Sequence, residues 1–439
     1  MPHSIEAEQE VLSAVFVEPT SMDILMEEIQ ADDFYLERHT LVFDTMTRVY
    51  ERHGTLDFVT LKQELKDTGR WEKAGGMQTL SNLFDRAGTT SNLSHYCRIV
   101  RQKSLLRKMI EAAREIEAEG FEEQSEVESF LEKAEQRVFA VLESRQHTEL
   151  RTMREVVRAS IHEIEKAFDA DGSVTGLGTG FRDLDKLTHG LQKADLIILA
   201  ARPSMGKTSF ALNIASNSAL RYDGNVAVFS LEMPAEQLGM RMLASQARID
   251  VSRMRGGYLR DEDWGQLTKA ADDVSRANLF IDDTPGLSVS TLRAKCRRLH
   301  RRHGLDLVVI DYLQLMSGSG KERSREQEIS AISRSLKHLA KELSVPVIAL
   351  SQLNRGVESR TDKRPLMADL RESGAIEQDA DLIMFIYREE VYNKNIEEGQ
   401  RGVAEVIIAK HRNGPTGTVK LKFWHPYTRF DNLATFEEN

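Results

Sequence analysis

The sequence predicts a multidomain chain: an all-α N-terminal region, a helical linker, and then an α/β domain built on a parallel central sheet. Three observations carry this. Apolar residues recur at helical spacing through the first hundred or so positions. A polar stretch, Glu143 to Leu150, then interrupts the pattern. From Gly176 onward, short continuous apolar runs alternate with amphipathic helices, which is the signature of strands covered on both faces. At 439 residues the chain is too long for one ordinary core. The expected divisions are 1–98 (helical), 99–145 (helical hairpin), 146–172 (linker with a docking helix) and 173–439 (α/β).

Composition narrows the class. Hydrophobic residues make up 41% and charged residues 29%, as in a water-soluble globular protein. No apolar run approaches a membrane span, and the N-terminus lacks the basic and apolar regions of a signal peptide. Two distant cysteines, Cys97 and Cys296, argue against a disulfide framework and fit a reducing cytosol. The net charge of −10 disfavours a whole-surface polyanion binder but leaves room for a local basic channel.

In the N-terminal region Ile5, Leu12, Val15 and Phe16 form one apolar stripe, and Leu41, Val42, Met46 and Val49 another. Ser4 is placed to cap the first helix, with Glu6 and Glu8 facing its dipole. The charged residues here are expected on solvated faces, with no catalytic constellation. Two helical runs between Tyr96 and Leu142, broken near Gly120, predict an antiparallel hairpin. Met153, Val156, Val157, Ile161, Ile164 and Phe168 then share one helix face, to be buried on its own domain or on a neighbouring subunit.

Strands are expected at Leu196–Ala200, Val226–Ser230, Leu279–Asp282, Leu307–Asp311, Val345–Ser351 and Leu382–Tyr387, followed by a hairpin of Val403–Lys410 and Thr418–Phe423. Between the first strand and the next helix lies Ala201-Arg-Pro-Ser-Met-Gly-Lys-Thr208. Strand, tight turn and helix with Gly-Lys-Thr at the junction is the layout of a phosphate-binding loop, although Ala201 stands where the first glycine of that pattern belongs. Backbone N–H groups from Ser204, Met205 and Gly206 on to Ser209 would cradle a triphosphate. Lys207 would reach the outer phosphates and Thr208 would hold Mg²⁺.

Asp311 ends an apolar strand, as a carboxylate that holds Mg²⁺ with Thr208 should. Glu232 follows the strand at 226–230, where it can polarise an attacking water or simply start a helix. Gln352 closes the strand after that of Asp311 and can sense a γ-phosphate. The polar region from Asn354 to Asp381 is a candidate for mobile loops. It carries Arg364, Arg371, Glu372 and Gly374, which can hold single-stranded nucleic acid by its phosphates or merely be solvated. Lys410 and Arg412 sit at a hairpin turn, either as an ordinary basic turn or as cations acting in trans on a neighbour's nucleotide. The basic run from Arg293 to Arg302 reads as an outer helix with a solvated face.

Taken together, A-R-P-S-M-G-K-T (201–208), F-S-L-E-M-P (229–234), V-V-I-D-Y-L-Q-L (308–315), S-Q-L-N-R (351–355), D-L-R-E-S-G-A-I-E-Q-D-A-D (369–381) and A-K-H-R-N-G (409–414) resemble the bacterial replicative DNA helicases of the DnaB type. The resemblance covers nearly the whole chain, and that family's loop itself begins with alanine. It implies a RecA-like P-loop NTPase domain, ATP with Mg²⁺, and a homohexameric ring with sites between subunits. It also implies Glu232 as the water-activating residue, Gln352 as γ-phosphate sensor, Lys410 and Arg412 reaching in from the adjacent subunit, and Arg241 near the nucleotide. The loops around Arg371, Glu372 and Gly374 would track single-stranded DNA with 5′→3′ polarity. The N-terminal collar would meet primase and a loader. A filament-forming recombinase and a non-motor ATP-binding scaffold are the competing readings.

Overall fold

The computed structural model describes residues 1–86, 92–121, 174–316, 324–370, 374–393 and 395–433, with isolated residues between 127 and 165. The chain divides into two compact units, Met1–Arg151 and Thr152–Asn439.

The first unit is helical: α1 (Ile5–Val17), α2 (Ser21–Glu28), α3 (Glu37–His53), α4 (Phe58–Asp67), α5 (Gly76–Asp85) and α6 (Leu93–Gly120). The Ser4 hydroxyl accepts a hydrogen bond from Ala7 N and so caps α1. Leu12 and Val15 of α1, Val42 and Met46 of α3, and Leu61 and Leu65 of α4 meet in one core.

Two expectations are corrected here. The boundary expected at 98 falls inside α6. Leu93, Cys97 and Val100 bury in the N-terminal core, and nothing in the sequence breaks the helix before Gly120. One helix is therefore both the last of the domain and the first arm of the hairpin. Glu8, expected on a solvated face, is instead 1% exposed. Its carboxylate accepts from Tyr35 N at 2.7 Å and pairs with His39 Nδ1 at 2.8 Å. Beyond Phe121, the described residues 127, 130, 133, 134, 137, 138 and 141 are helical, and Arg137 reaches back to Glu115 and Glu119 of α6.

The second unit carries a nine-stranded sheet in the order β3-β2-β4-β5-β1-β6-β7-β8-β9. The strands are β1 (Leu196–Ala201), β2 (Val226–Ser230), β3 (Leu279–Asp282), β4 (Leu307–Asp311), β5 (Val347–Gln352), β6 (Leu382–Tyr387), β7 (Val403–His411), β8 (Gly417–Trp424) and β9 (Arg429–Asn432). The first six run parallel, and β7 to β9 extend the sheet antiparallel from β6. A short helix, α7 (Arg182–Thr188), precedes β1.

Alternation along β1 shows why such strands read as unbroken apolar runs. Ile197 and Leu199 pack with Phe210, Ala211 and Ile214 of α8 (Lys207–Arg221) on one face. Leu196, Ile198 and Ala200 lie on the other face, in one core with Leu292 and Cys296 of α12 (Val289–His303) and Ile332, Leu336 and Leu339 of α13 (Arg325–Leu343). Both faces are covered, so both must be apolar. Between β2 and β3 come α9 (Ala235–Ala247), α10 (Val251–Gly256) and α11 (Asp261–Arg276). Two short helices, α14 (Gly374–Asp379) and α15 (Glu389–Tyr392), flank β6.

The basic run forms α12, an outer helix whose Arg293 and Arg297 pair with Glu342. Of the helix expected over 153–168, the described residues 153, 154, 156–158, 160, 161 and 165 are helical, and Met153, Val156, Val157 and Ile161 are exposed. Ile164 and Phe168 lie outside the described residues. The segment after β5, expected to be mobile, is pinned through residue 370. Asp369 accepts from Leu366 N at 2.7 Å and from Arg360 at 2.8 Å, and its carbonyl accepts from Asn354 N. Val357 and Leu370 are buried beneath it.

Candidate active site

The carboxyl edge of a parallel sheet is where ligands gather, because strand ends leave a crevice lined by loops. Here β1 delivers Arg202 to Gly206 at that edge. The turn requires two left-handed residues, Ser204 (φ 68°) and Gly206 (φ 95°), after which α8 starts at Lys207. At Gly206 an added Cβ would lie 3.0 Å from Phe430 and 3.4 Å from Phe423, so both its φ and its surroundings ask for glycine. Met205 is 2% exposed, its side chain packed into the core, so this residue meets the cleft with its backbone.

The loop opens onto a cleft of about 640 Å³ lined by Ser204, Gly206, Lys207, Thr208, Ser209, Glu232, Arg241 and Gln352. Asp311, buried at the end of β4, is tied to the loop. One of its oxygens accepts from the Thr208 hydroxyl at 2.7 Å, and Oδ1 lies 3.9 Å from Lys207 Nζ. Oδ1 is buried and has no hydrogen-bond partner. The Lys207 ammonium also lies 4.5 Å from the Tyr312 ring centroid. Burial pulls the pKa of Lys207 down, opposed by Asp311 and Glu232. Arg241 is lowered likewise, first by burial and then by Arg255.

Glu232 sits two residues beyond the end of β2, on a bend that the buried Ser230 hydroxyl fixes. That hydroxyl donates to Met233 O at 2.7 Å and accepts from Met233 N at 3.2 Å. The Leu231 N–H donates to Asp311 O at 2.7 Å, so the two acidic strand ends are tied together. Gln352 is exposed at the end of β5, beside Gln314, which donates to Ser351 Oγ at 2.9 Å. Ser230, Tyr312 and Gln314 were not singled out in the sequence. Each stands within two residues of a recognised carboxylate or on the same strand-end motif, and that proximity was the available signal.

Lys410 and Arg412 are not brought to this cleft. Leu382 pairs with His411 and, in parallel register, with Ile197, so both cations lie at the amino edge of the sheet. The length of β1 separates them from the loop by about 20 Å. Lys410 Nζ donates to Glu377 O at 2.6 Å and Ala380 O at 2.7 Å, capping the end of α14. Arg412 is 3.5 Å from Asp381 Oδ1, with its side chain 63% exposed.

Gly374 is exposed at the first position of α14. Arg364 makes a two-point contact with Glu405, at 3.1 and 2.9 Å, and its guanidinium lies over the Tyr387 ring. Its charge is thus paired within the chain and its pKa raised, first by the Glu405 hydrogen bond. Arg371 and Glu372 lie outside the described residues.

Comparison with known proteins agrees with this architecture. The family described as "DnaB-like helicase C terminal domain" matches residues 176–432, and "DnaB-like helicase N terminal domain" matches residues 1–102. The chain belongs to the DnaB-like helicase family. It is 48% identical over 433 residues to the replicative DNA helicase DnaB of Geobacillus stearothermophilus, covering 98% of this chain and 95% of the relative. It is 47% identical to the replicative DNA helicase DnaC of Bacillus subtilis, with the same coverage. A solved structure of a DnaB-like replicative helicase, described together with its interactions with primase, superposes with a TM-score of 0.77 at 36% identity, covering 98% of this chain and 99% of that one. Among the described residues no helix is long and apolar enough to cross a membrane.

Proposed function

We propose that the chain is a replicative DNA helicase that couples ATP hydrolysis to 5′→3′ movement along single-stranded DNA and so unwinds duplex. The observation that carries this reading is the split arrangement of its chemistry. Lys207, Thr208, Glu232, Asp311 and Gln352 converge at the carboxyl edge, whereas Lys410 and Arg412 stand at the amino edge. One chain holds two half-sites facing opposite ways, as a subunit of a head-to-tail homohexameric ring should. The exposed apolar side chains at 153–161 offer a second contact for such an assembly. Primase and a loader, meeting the N-terminal unit, complete the proposal.

In this reading the loop binds the triphosphate through its N–H groups and Lys207. The residues fit a divalent cation, because Asp311 Oδ1 is buried without a hydrogen-bond partner beside the Thr208 hydroxyl. Thr208 and Asp311 would hold Mg²⁺, which when bound neutralises charge developing on the phosphates. The Glu232 carboxylate takes a proton from water as its oxygen attacks the γ-phosphorus and the bond to the bridging oxygen breaks. Gln352, at the head of the Asp369-pinned segment that leads to residue 371, relays loss of the γ-phosphate to the DNA-tracking loops. The deciding experiment is unwinding of a forked duplex. Lys207→Ala and Arg412→Ala should each lower it by about a hundredfold or more while the chains still assemble. An Arg412→Ala ring with full ATPase would sink the trans assignment.

A further inference from the structure

Two arginines at the phosphate loop are almost wholly buried: Arg202, 8% exposed, and Arg388, 5% exposed. Arg202 belongs to the loop itself and ties it to Leu353 O at 2.8 Å, next to Gln352. Arg388 comes from elsewhere, immediately after β6, and its surroundings are more unusual. Its Nη1 donates to Ser204 O at 3.2 Å. Nε donates to Glu390 at 3.1 Å, Nη2 reaches the same carboxylate oxygen, and the guanidinium lies 4.3 Å from the Phe423 ring centroid. The other Glu390 oxygen accepts from Gly402 N at 2.7 Å, so the carboxylate that orients Arg388 is itself fixed.

We propose that Arg388 is a positioning residue that holds the phosphate loop in its ligand-binding shape. The proposal rests on the reading of residues 201–208 as that loop. Ser204 has φ 68°, a conformation that a non-glycine residue keeps only when its surroundings enforce it. The Ser204 carbonyl and the Met205 N–H belong to one planar trans peptide and point to opposite sides of it. Fixing the carbonyl on Arg388 therefore aims the Met205 N–H away from Arg388. That N–H makes only a long 3.4 Å contact with Arg202 O, which a phosphate oxygen can replace. Phe423, beneath the guanidinium, also touches the Gly206 position, so one wall supports the loop at two successive turns. Arginine suits this place because a planar fork can stack on a ring, grip a carboxylate and still donate to a carbonyl; lysine cannot do all three.

The test uses the full-length chain with Arg388→Lys, Glu390→Gln and the control Lys207→Ala. Binding of ATP and ADP, steady-state KM and kcat, and thermal unfolding with and without nucleotide are measured. Arg388→Lys should raise Kd and KM about five- to tenfold, leaving kcat at saturation within about twofold. Its unfolding midpoint without nucleotide should stay near wild type, while the nucleotide-induced rise shrinks. Glu390→Gln should shift the same quantities in the same direction by less, and it decides the matter if Arg388→Lys does not fold. Unchanged Kd and KM, or a fall in kcat alone, would overturn the proposal. If Lys207→Ala also binds ATP normally, the loop reading itself has failed, and the two failures are thereby told apart.

Discussion

Asp311 divides its work between two oxygens: one is satisfied by Thr208, and the other is left buried without a hydrogen-bond partner. A carboxylate at the far edge of the same sheet shows the opposite situation. Asp195, just before β1, is pushed from an ordinary 3.8 to about 6, first by burial and then by Asp381, against the opposing pull of Lys337 and Arg412. The folded chain thus holds this proton more tightly than the unfolded chain. Stability falls as pH rises from about 4 to about 6, and above that window the full penalty of the buried charge is present. Asp195→Asn should therefore raise the unfolding midpoint at about pH 8 by a few degrees, on the order of 1 kcal/mol after solvent screening, and by clearly less at about pH 4. Equal effects at the two pH values would mean that the substitution acts through packing.

At the scale of elements, what the sequence made legible and what it hid follow from where the information resides. The ends of β2, β3, β4 and β6 were readable because each is a continuous apolar run stopped by a polar residue or turn. β9 was not, since Arg429–Asn432 offers one buried apolar side chain, Phe430, and is defined by its pairing with β8. Arg388 was passed over for a similar reason. An arginine after a strand reads as solvated until Glu390 and Phe423, from other elements, close around it. Lys410 was read as part of an ordinary basic turn or as a cation for a neighbour, whereas within the chain its ammonium caps the last carbonyls of α14. Cations at a helix C-terminus stabilise it through the unpaired carbonyls and the dipole. Lys410→Met should accordingly speed amide exchange at Ala380 and Asp381 about fivefold, without global destabilisation. Unaltered exchange would assign the rigidity of α14 to burial of Ile376 and Ala380 alone.

For the whole molecule, the separation of the two proposed half-sites makes the strongest demand. An ATP-binding loop at one sheet edge and Arg412 at the other cannot meet within a chain across about 20 Å of strand. They can meet between chains if one subunit's amino edge faces the next subunit's carboxyl edge. A head-to-tail contact of that kind repeats, and it forms a ring when its rotation closes. The proposed hexamer can therefore be tested by mixing two inactive proteins. Lys207→Ala chains keep Arg412 but spoil their own loop; Arg412→Ala chains keep the loop but spoil what they offer to a neighbour. Neither alone contains an intact site. In randomly mixed assemblies about one interface in four pairs a good loop with a good arginine. DNA-stimulated ATPase should then recover toward about a quarter of the wild-type rate, the ceiling for independent sites. Recovery has to appear only after subunit exchange, and not when preassembled rings are simply combined. If exchanged mixtures stay silent while each variant still binds its neighbours, Arg412 does not complete the next subunit's site, and its contact with Asp381 is its working position.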